Sequence, residues 1–71
     1  MNKTDKLIMV IQLAEEMSDK LESREKTKKY NASLECEKRW KEWRNPEPKA
    51  GIIANGLKIR KLLIEIEKEL E

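Results

Sequence analysis

Near the start of the chain, apolar residues fall at Leu7, Val10, Ala14, Met17 and Leu21. Alternating steps of three and four put one side chain per turn on the same side of a helix. Ile8, Ile11 and Leu13 widen that stripe into a face broad enough to meet a core. Thr4 is placed to cap this helix, which the pattern predicts from Asp5 onward. Glu22 to Lys29, ESREKTKK, contains no apolar residue, yet its pattern remains helical. Glu22–Lys26 and Glu25–Lys29 are i,i+4 pairs in the favourable order, each worth ~0.2–0.5 kcal/mol. The apolar pattern then returns out of phase. Cys36, Trp40 and Trp43 share a face with Leu34 and Tyr30 beside it, whereas a heptad continued from Leu21 leads to Lys28 and Glu35. A break between 22 and 33 follows, with Asn31 or Ser33 able to cap a second helix. One uninterrupted helix over 5–44 is the alternative, since neither Gly nor Pro falls in that span.

Asn45-Pro46-Glu47-Pro48 predicts a tight turn and an immediate helix start. Asn caps well, Pro suits the first helical position, and Glu47 suits the positive helix end. Beyond it, Ile52, Gly56, Ile59, Leu63, Ile66 and Leu70 repeat the alternating spacing, flanked by Ile53, Leu57 and Ile64. Asn55-Gly56 between apolar residues is otherwise a strong β-hairpin signal. The arm that follows, RKLLIEIEKEL, has a helical period rather than an alternating one. A helix over 46–70 is therefore preferred, with Gly56 on its apolar seam admitting Trp40 or Trp43 closely.

The expected fold is all-α, either a small three-helix bundle or a helical hairpin with a long N-terminal helix. Helices are expected at about 5–29, 32–44 and 46–70. Leu7, Val10, Ala14, Met17 and Leu21 would pack on Ile52, Ile59, Leu63, Ile66 and Leu70, with Cys36, Trp40 and Trp43 added by the middle helix.

Size changes this picture. At 71 residues a single core rarely supplies more than ~3–5 kcal/mol. One cysteine excludes an intrachain disulfide, and with no histidine an ordinary zinc site has too few ligands. Unusually regular helix packing or oligomerisation remains as support, and a homo-oligomer, with a dimer favoured, or another protein partner is expected ahead of a monomer. Charged residues make up 42% of the chain, and the net charge of +2 is too small to imply a nucleic-acid partner. The balance runs −2 over residues 1–23, +3 over 24–31, +1 over 32–49, +3 over 50–64 and −3 over 65–71. The apolar run Leu7 to Ala14 is too short to span a bilayer and lacks a leader's cleavage site, so a cytoplasmic location is expected.

The same composition argues against catalysis, cofactors and metals. Without histidine the commonest general base is missing, and Cys36 has no evident base to activate it. Cys36 reads as a small core residue. Trp40 and Trp43, amid Lys38, Arg39, Lys41 and Arg44, read first as cover for the core. They are also the best candidates for a protein-binding hot spot. Basic and aromatic residues so interleaved can alternatively serve nucleic acid.

Gly56, Lys58, Ile59, Arg60 and Lys61, followed by an apolar-acidic helix, resemble a short segment of bacterial histone H1-like proteins. The resemblance spans about residues 55–66. It implies that Lys58, Arg60 and Lys61 contact DNA phosphates. The chain departs from that family in its RWKEWRNPEP stretch, its small net charge and its lack of a lysine-rich tail. The leading expectation is a non-catalytic helical protein-interaction or regulatory module. Its size and style suit an accessory product of a phage or mobile element. A DNA-associated protein is the alternative, using Lys58, Arg60 and Lys61 with Arg39, Arg44, Lys26, Lys28 and Lys29 as further cations.

Overall fold

The structure, a computed structural model describing residues 2–70, is all-α. Helix α1 is Lys3–Ser33, α2 is Arg39–Glu42 and α3 is Lys49–Leu70. Helices α1 and α3 pack antiparallel. At one end Lys6 reaches Glu65 and Glu69. At the other, Arg24 Nη1 donates to the Glu47 carbonyl at 2.8 Å. The molecule measures 59 × 15 × 14 Å. Its radius of gyration is 17.3 Å, against about 11 Å for a compact globule of this length. It is a rod, a helical hairpin with a small irregular head.

Helix α1 starts earlier than the Thr4 reading implies. Asn2 Oδ1 accepts the Asp5 N–H at 2.8 Å, and asparagine caps better than threonine. The helix runs unbroken through the apolar-free stretch, where Lys26 pairs with Glu22 at 2.9 Å. No change of register occurs. The partly or fully buried positions of α1 include Lys6, Val10, Leu13, Met17, Lys20, Arg24, Thr27, Asn31 and Leu34, one continuous heptad seam. Five of these nine side chains are polar, so a search for apolar residues loses the seam after Met17.

The predicted middle helix over 32–44 shrinks to the single turn α2. The reason is Asn31, whose amide Nδ2 donates to the Arg44 carbonyl at 2.8 Å and whose Oδ1 accepts the Arg44 N–H at 3.0 Å. This clasp brings residue 44 back against α1. A straight helix over 32–44 would instead carry residue 44 about 18 Å away. Leu34 ends α1 with an extended backbone and is buried beneath the head. Neither predicted cap opens a second helix, and Ser33 Oγ donates back to the Tyr30 carbonyl at 2.6 Å. Arg44 also lies 3.9 Å from the Tyr30 ring centre, a cation–π contact closing the head.

Helix α3 begins at Lys49, after an irregular Asn45–Pro48. Pro48 disfavours a helical Glu47, and the Arg24 bond ties the Glu47 carbonyl to α1. Asn55-Gly56 is helical, as its flanking periodicity indicates, and no glycine among the described residues has positive φ. The α3 seam is Ile52, Asn55, Ile59, Leu62 and Ile66. Leu63 and Leu70, expected in the core, are 48% and 66% exposed. Leu7, Ala14 and Leu21 are exposed as well. Gly56 faces Met17, not a tryptophan: a Cβ there would sit 3.5 Å from Met17 Cε.

Two modest predictions arise here. A Cβ at Gly51 would meet only the tip of Lys20, at 3.7 Å. Gly51→Ala should therefore stabilise the hairpin by about 0.5–1 kcal/mol, read as a higher melting midpoint by circular dichroism. The second concerns Lys6, whose pKa is raised by its hydrogen bond to Glu69 and, against partial burial, by the charges of Glu69 and Glu65. A raised folded-state pKa gives stability that is complete below the unfolded lysine value. That stability disappears as pH climbs through the folded value. Lys6→Met should thus be less stable than wild type at neutral pH, with the gap closing in strong alkali. Paired melts across that range check it.

Candidate interaction surfaces

The seam uses only one stripe of each helix, and several of the remaining apolar residues form rows of their own. Leu7, Ala14 and Leu21 recur at heptad spacing on α1; Gly56, Leu63 and Leu70 do so on α3. Each row lies about a quarter-turn from its seam, in the same rotational sense. Because the helices are antiparallel, equal rotations bring both rows to the same side of the hairpin. One shallow cleft of about 230 Å³ confirms the adjacency, since Leu21, Arg24, Lys49, Ile52 and Ile53 line it together. Ile11 and Ile53 extend this face, and Leu7, Ile11, Leu21, Ile53, Leu63 and Leu70 are all exposed. The reverse side carries Glu16, Asp19 and Lys26 from α1 and Lys58, Lys61, Glu65 and Lys68 from α3. The side with Leu7 and Leu63 is therefore the more apolar one, although Ile8, Leu57 and Ile64 are exposed too, and Leu57 and Ile64 share a groove with Lys61, Glu65 and Lys68. Single exposed apolar residues are ordinary on a protein; adjoining rows of them on two packed helices are not.

The head forms a second feature. Arg24, Lys28, Asn31, Arg39, Trp43 and Pro46 line an open cleft of about 390 Å³ with no carboxylate in its wall. Arg24 and Arg39 are oriented by carbonyls: Arg24 by that of Glu47, and Arg39 Nε by that of Leu34 at 3.3 Å. Their other guanidinium donors remain available. The readings of Trp40, Trp43 and Cys36 as core residues are corrected. Trp40 is 77% and Trp43 55% exposed, and Cys36 is exposed. Once the Asn31 clasp replaces the middle helix, these side chains no longer share a helical face directed inward. Only Trp43 lines the cleft; Trp40 stands outside it with Lys41 Nζ 5.1 Å from its ring centre. Of the cleft's cations, Lys28 and Arg39 belong to the set that the DNA-associated reading draws from the sequence, whereas Arg24 was not singled out. Continuing the seam through its polar members, rather than its apolar ones, would have located Arg24.

Lys58, Arg60 and Lys61 are exposed on the middle of α3. Lys58 and Lys61 share the reverse side, while Arg60 projects toward the opposite flank, about 160° around the helix from Lys58. Arg60 and Lys61 border a shallow groove that also contains Glu65. These cations lie well along the rod from the head cleft, so the structure places the basic residues in two groups. Among the described residues, no three Cys, Asp or Glu side chains gather as metal ligands would. No helix in this span is long and apolar enough to cross a membrane. Comparisons with protein-family models, curated proteins and solved structures return no match.

Proposed function

We propose that this chain is a non-catalytic protein-interaction module of regulatory or accessory type, working through the apolar side of its hairpin. The observation that carries this reading is the exposed apolar face formed by Leu7, Ile11, Leu21, Ile53, Leu63 and Leu70. A partly polar seam holds the two helices together, while much of the large aliphatic surface is left facing solvent. Burying it against protein is the arrangement that recovers its hydrophobic free energy. Binding through such a face should persist at high salt, because little of it is ionic. A photo-crosslinking residue introduced at Ile11 tests this in source-cell extract and in purified chain. Adducts with protein that vanish in Leu7→Glu/Leu63→Glu support it. Absence of any face-dependent protein adduct, to itself or another chain, overturns it.

The head cleft favours a second reading, a DNA-associated protein. Arg24, Lys28 and Arg39 would meet phosphate, Trp43 would stack on a base, and Lys58, Arg60 and Lys61 would extend the contact as the histone H1-like resemblance implies. This reading requires binding that falls steeply with salt. Each phosphate contact removed by an alanine should flatten the log–log salt slope by ~0.9. Salt-insensitive or absent binding to duplex and single-stranded DNA excludes it.

A further inference from the structure

We infer that the partner of the apolar side is a second copy of this chain, packed head to tail as a four-helix bundle. This inference rests on the protein-interaction reading and specifies its partner. The first argument is area. The chain exposes 5775 Å², whereas a compact monomer of 8.4 kDa exposes ~4,600 Å². Stable interfaces remove on the order of 800 Å² from each partner, within that excess.

The second argument is symmetry. Facing residues of the two helices have numbers adding to about 73, as the Met17–Gly56 contact shows. A two-fold axis crossing α1 at Ala14 therefore meets α3 near Ile59. About that axis Leu7 falls opposite Leu21 of the second copy, and Ala14 opposite its own counterpart. On α3, Gly56 falls opposite Leu63 of the second copy, small against large. The full α1 row and the Gly56–Leu63 pair of α3 thus share one axis, with Leu70 left at the end of the face. Ala14 and Gly56, the smallest residues of the face, lie near its centre, where helices must approach closest.

The third argument is charge, and it sets the direction. Residues 24–49, which form the head end, carry nine Lys or Arg and five Glu. Stacking two copies with their heads together would juxtapose these positive ends. The head-to-tail arrangement separates them. It also brings Lys49 of one copy toward Leu70 of the other, within reach of Glu67 in the acidic tail of α3. Arg60, at the outer rim near the axis, extends into solvent.

The test combines sedimentation with a crosslink. Wild-type chain should sediment at twice the 8.4 kDa monomer mass. Leu7→Glu/Leu63→Glu should sediment as monomer with its helical circular dichroism retained, since both side chains are outside the seam. In a Cys36→Ser background, Ala14→Cys should oxidise to a covalent dimer, because head-to-tail symmetry places that position against itself. The heads-together arrangement would oppose Ala14 to Ile59 of the second copy and give no such bond. A dimer in which Ala14→Cys fails to crosslink overturns the head-to-tail arrangement. A wild-type monomer overturns the second copy while leaving a different protein partner open. A dimer unaffected by Leu7→Glu/Leu63→Glu overturns this interface, and if the Ile11 adducts also persist, the function reading falls with it.

Discussion

Ile52→Ala is expected to leave the chain largely unfolded at physiological temperature. Leu34, Ile52 and Ile66 are the buried apolar residues of the described chain, and the largest seam aliphatics beyond them are only partly covered. Truncating a buried isoleucine to alanine costs ~2–5 kcal/mol, transfer and cavity together. A domain this small holds ~3–5 kcal/mol in all. The loss is therefore comparable with the whole stability. Helix propensity does not rescue the folded state by much, since alanine exceeds isoleucine by only a few tenths of a kcal/mol. Ile52→Val should cost ~0.5–1.5 kcal/mol and remain folded, so the pair brackets the effect. Urea titrations followed by circular dichroism, at matched protein concentration, decide it. An Ile52→Ala midpoint equal to wild type would show that Ile52 does not carry the α1–α3 seam.

The helical class was legible because the periodicity of Leu7 to Leu21 and of Ile52 to Leu70 is long and regular. The phase was not. A period-based reading follows apolar letters, and here the strongest apolar rows flank the seam. Leu7, Ala14 and Leu21 stand a quarter-turn from Lys6, Leu13 and Lys20, which actually face α3. Lys6 and Lys20 qualify for the seam because their aliphatic stems cover apolar neighbours while their ammonium groups reach Glu69 and Asn55. Lysine's mixed character is invisible to a two-letter pattern. The middle helix failed for another reason. Cys36, Trp40 and Trp43 do have helical spacing, but the clasp between Asn31 and Arg44 is a contact over thirteen positions and outweighs that local preference.

The candidate sites show the same division. Lys58, Arg60 and Lys61 are legible as a basic run, yet helix geometry spreads them around α3. The head cleft joins Arg24 and Lys28 to Arg39 and Trp43 across a break in the helix, and no local pattern links them. The apolar side was visible as excess stripe width. That width implied a broader core only while the seam was assumed to be apolar. With the seam partly polar, the extra width becomes surface. The feature that best supports a function is therefore the same one that misled the packing prediction.

The two buried asparagines should respond to leucine with opposite signs. Asn31 and Asn55 are each 4% exposed, and both occupy seam positions. Their bonds differ. Asn31 exchanges contacts of 2.8 and 3.0 Å with the Arg44 backbone and so holds the head in place. Asn31→Leu should cost ~1–3 kcal/mol and release the head, seen as a change in Trp43 fluorescence and faster amide exchange around Arg44. Asn55 has only two long contacts, accepting from Lys20 Nζ at 3.3 Å and donating to the Leu13 carbonyl at 3.4 Å. The Leu13 carbonyl already lies inside a helix, and Lys20 retains Glu16 at 3.2 Å. Leucine has nearly the shape of asparagine and would join Leu13, Met17, Ile52 and Ile59 in an apolar layer. Asn55→Leu should therefore raise stability by ~1–2 kcal/mol, measured by urea midpoint. What it removes is discrimination. A polar layer midway along a heptad seam penalises slipped and exchanged pairings, as a buried asparagine does in coiled coils. The leucine variant should accordingly show more than one species in sedimentation where wild type shows one. A destabilised Asn55→Leu would mean that the Lys20–Asn55 layer itself contributes to the hairpin's stability.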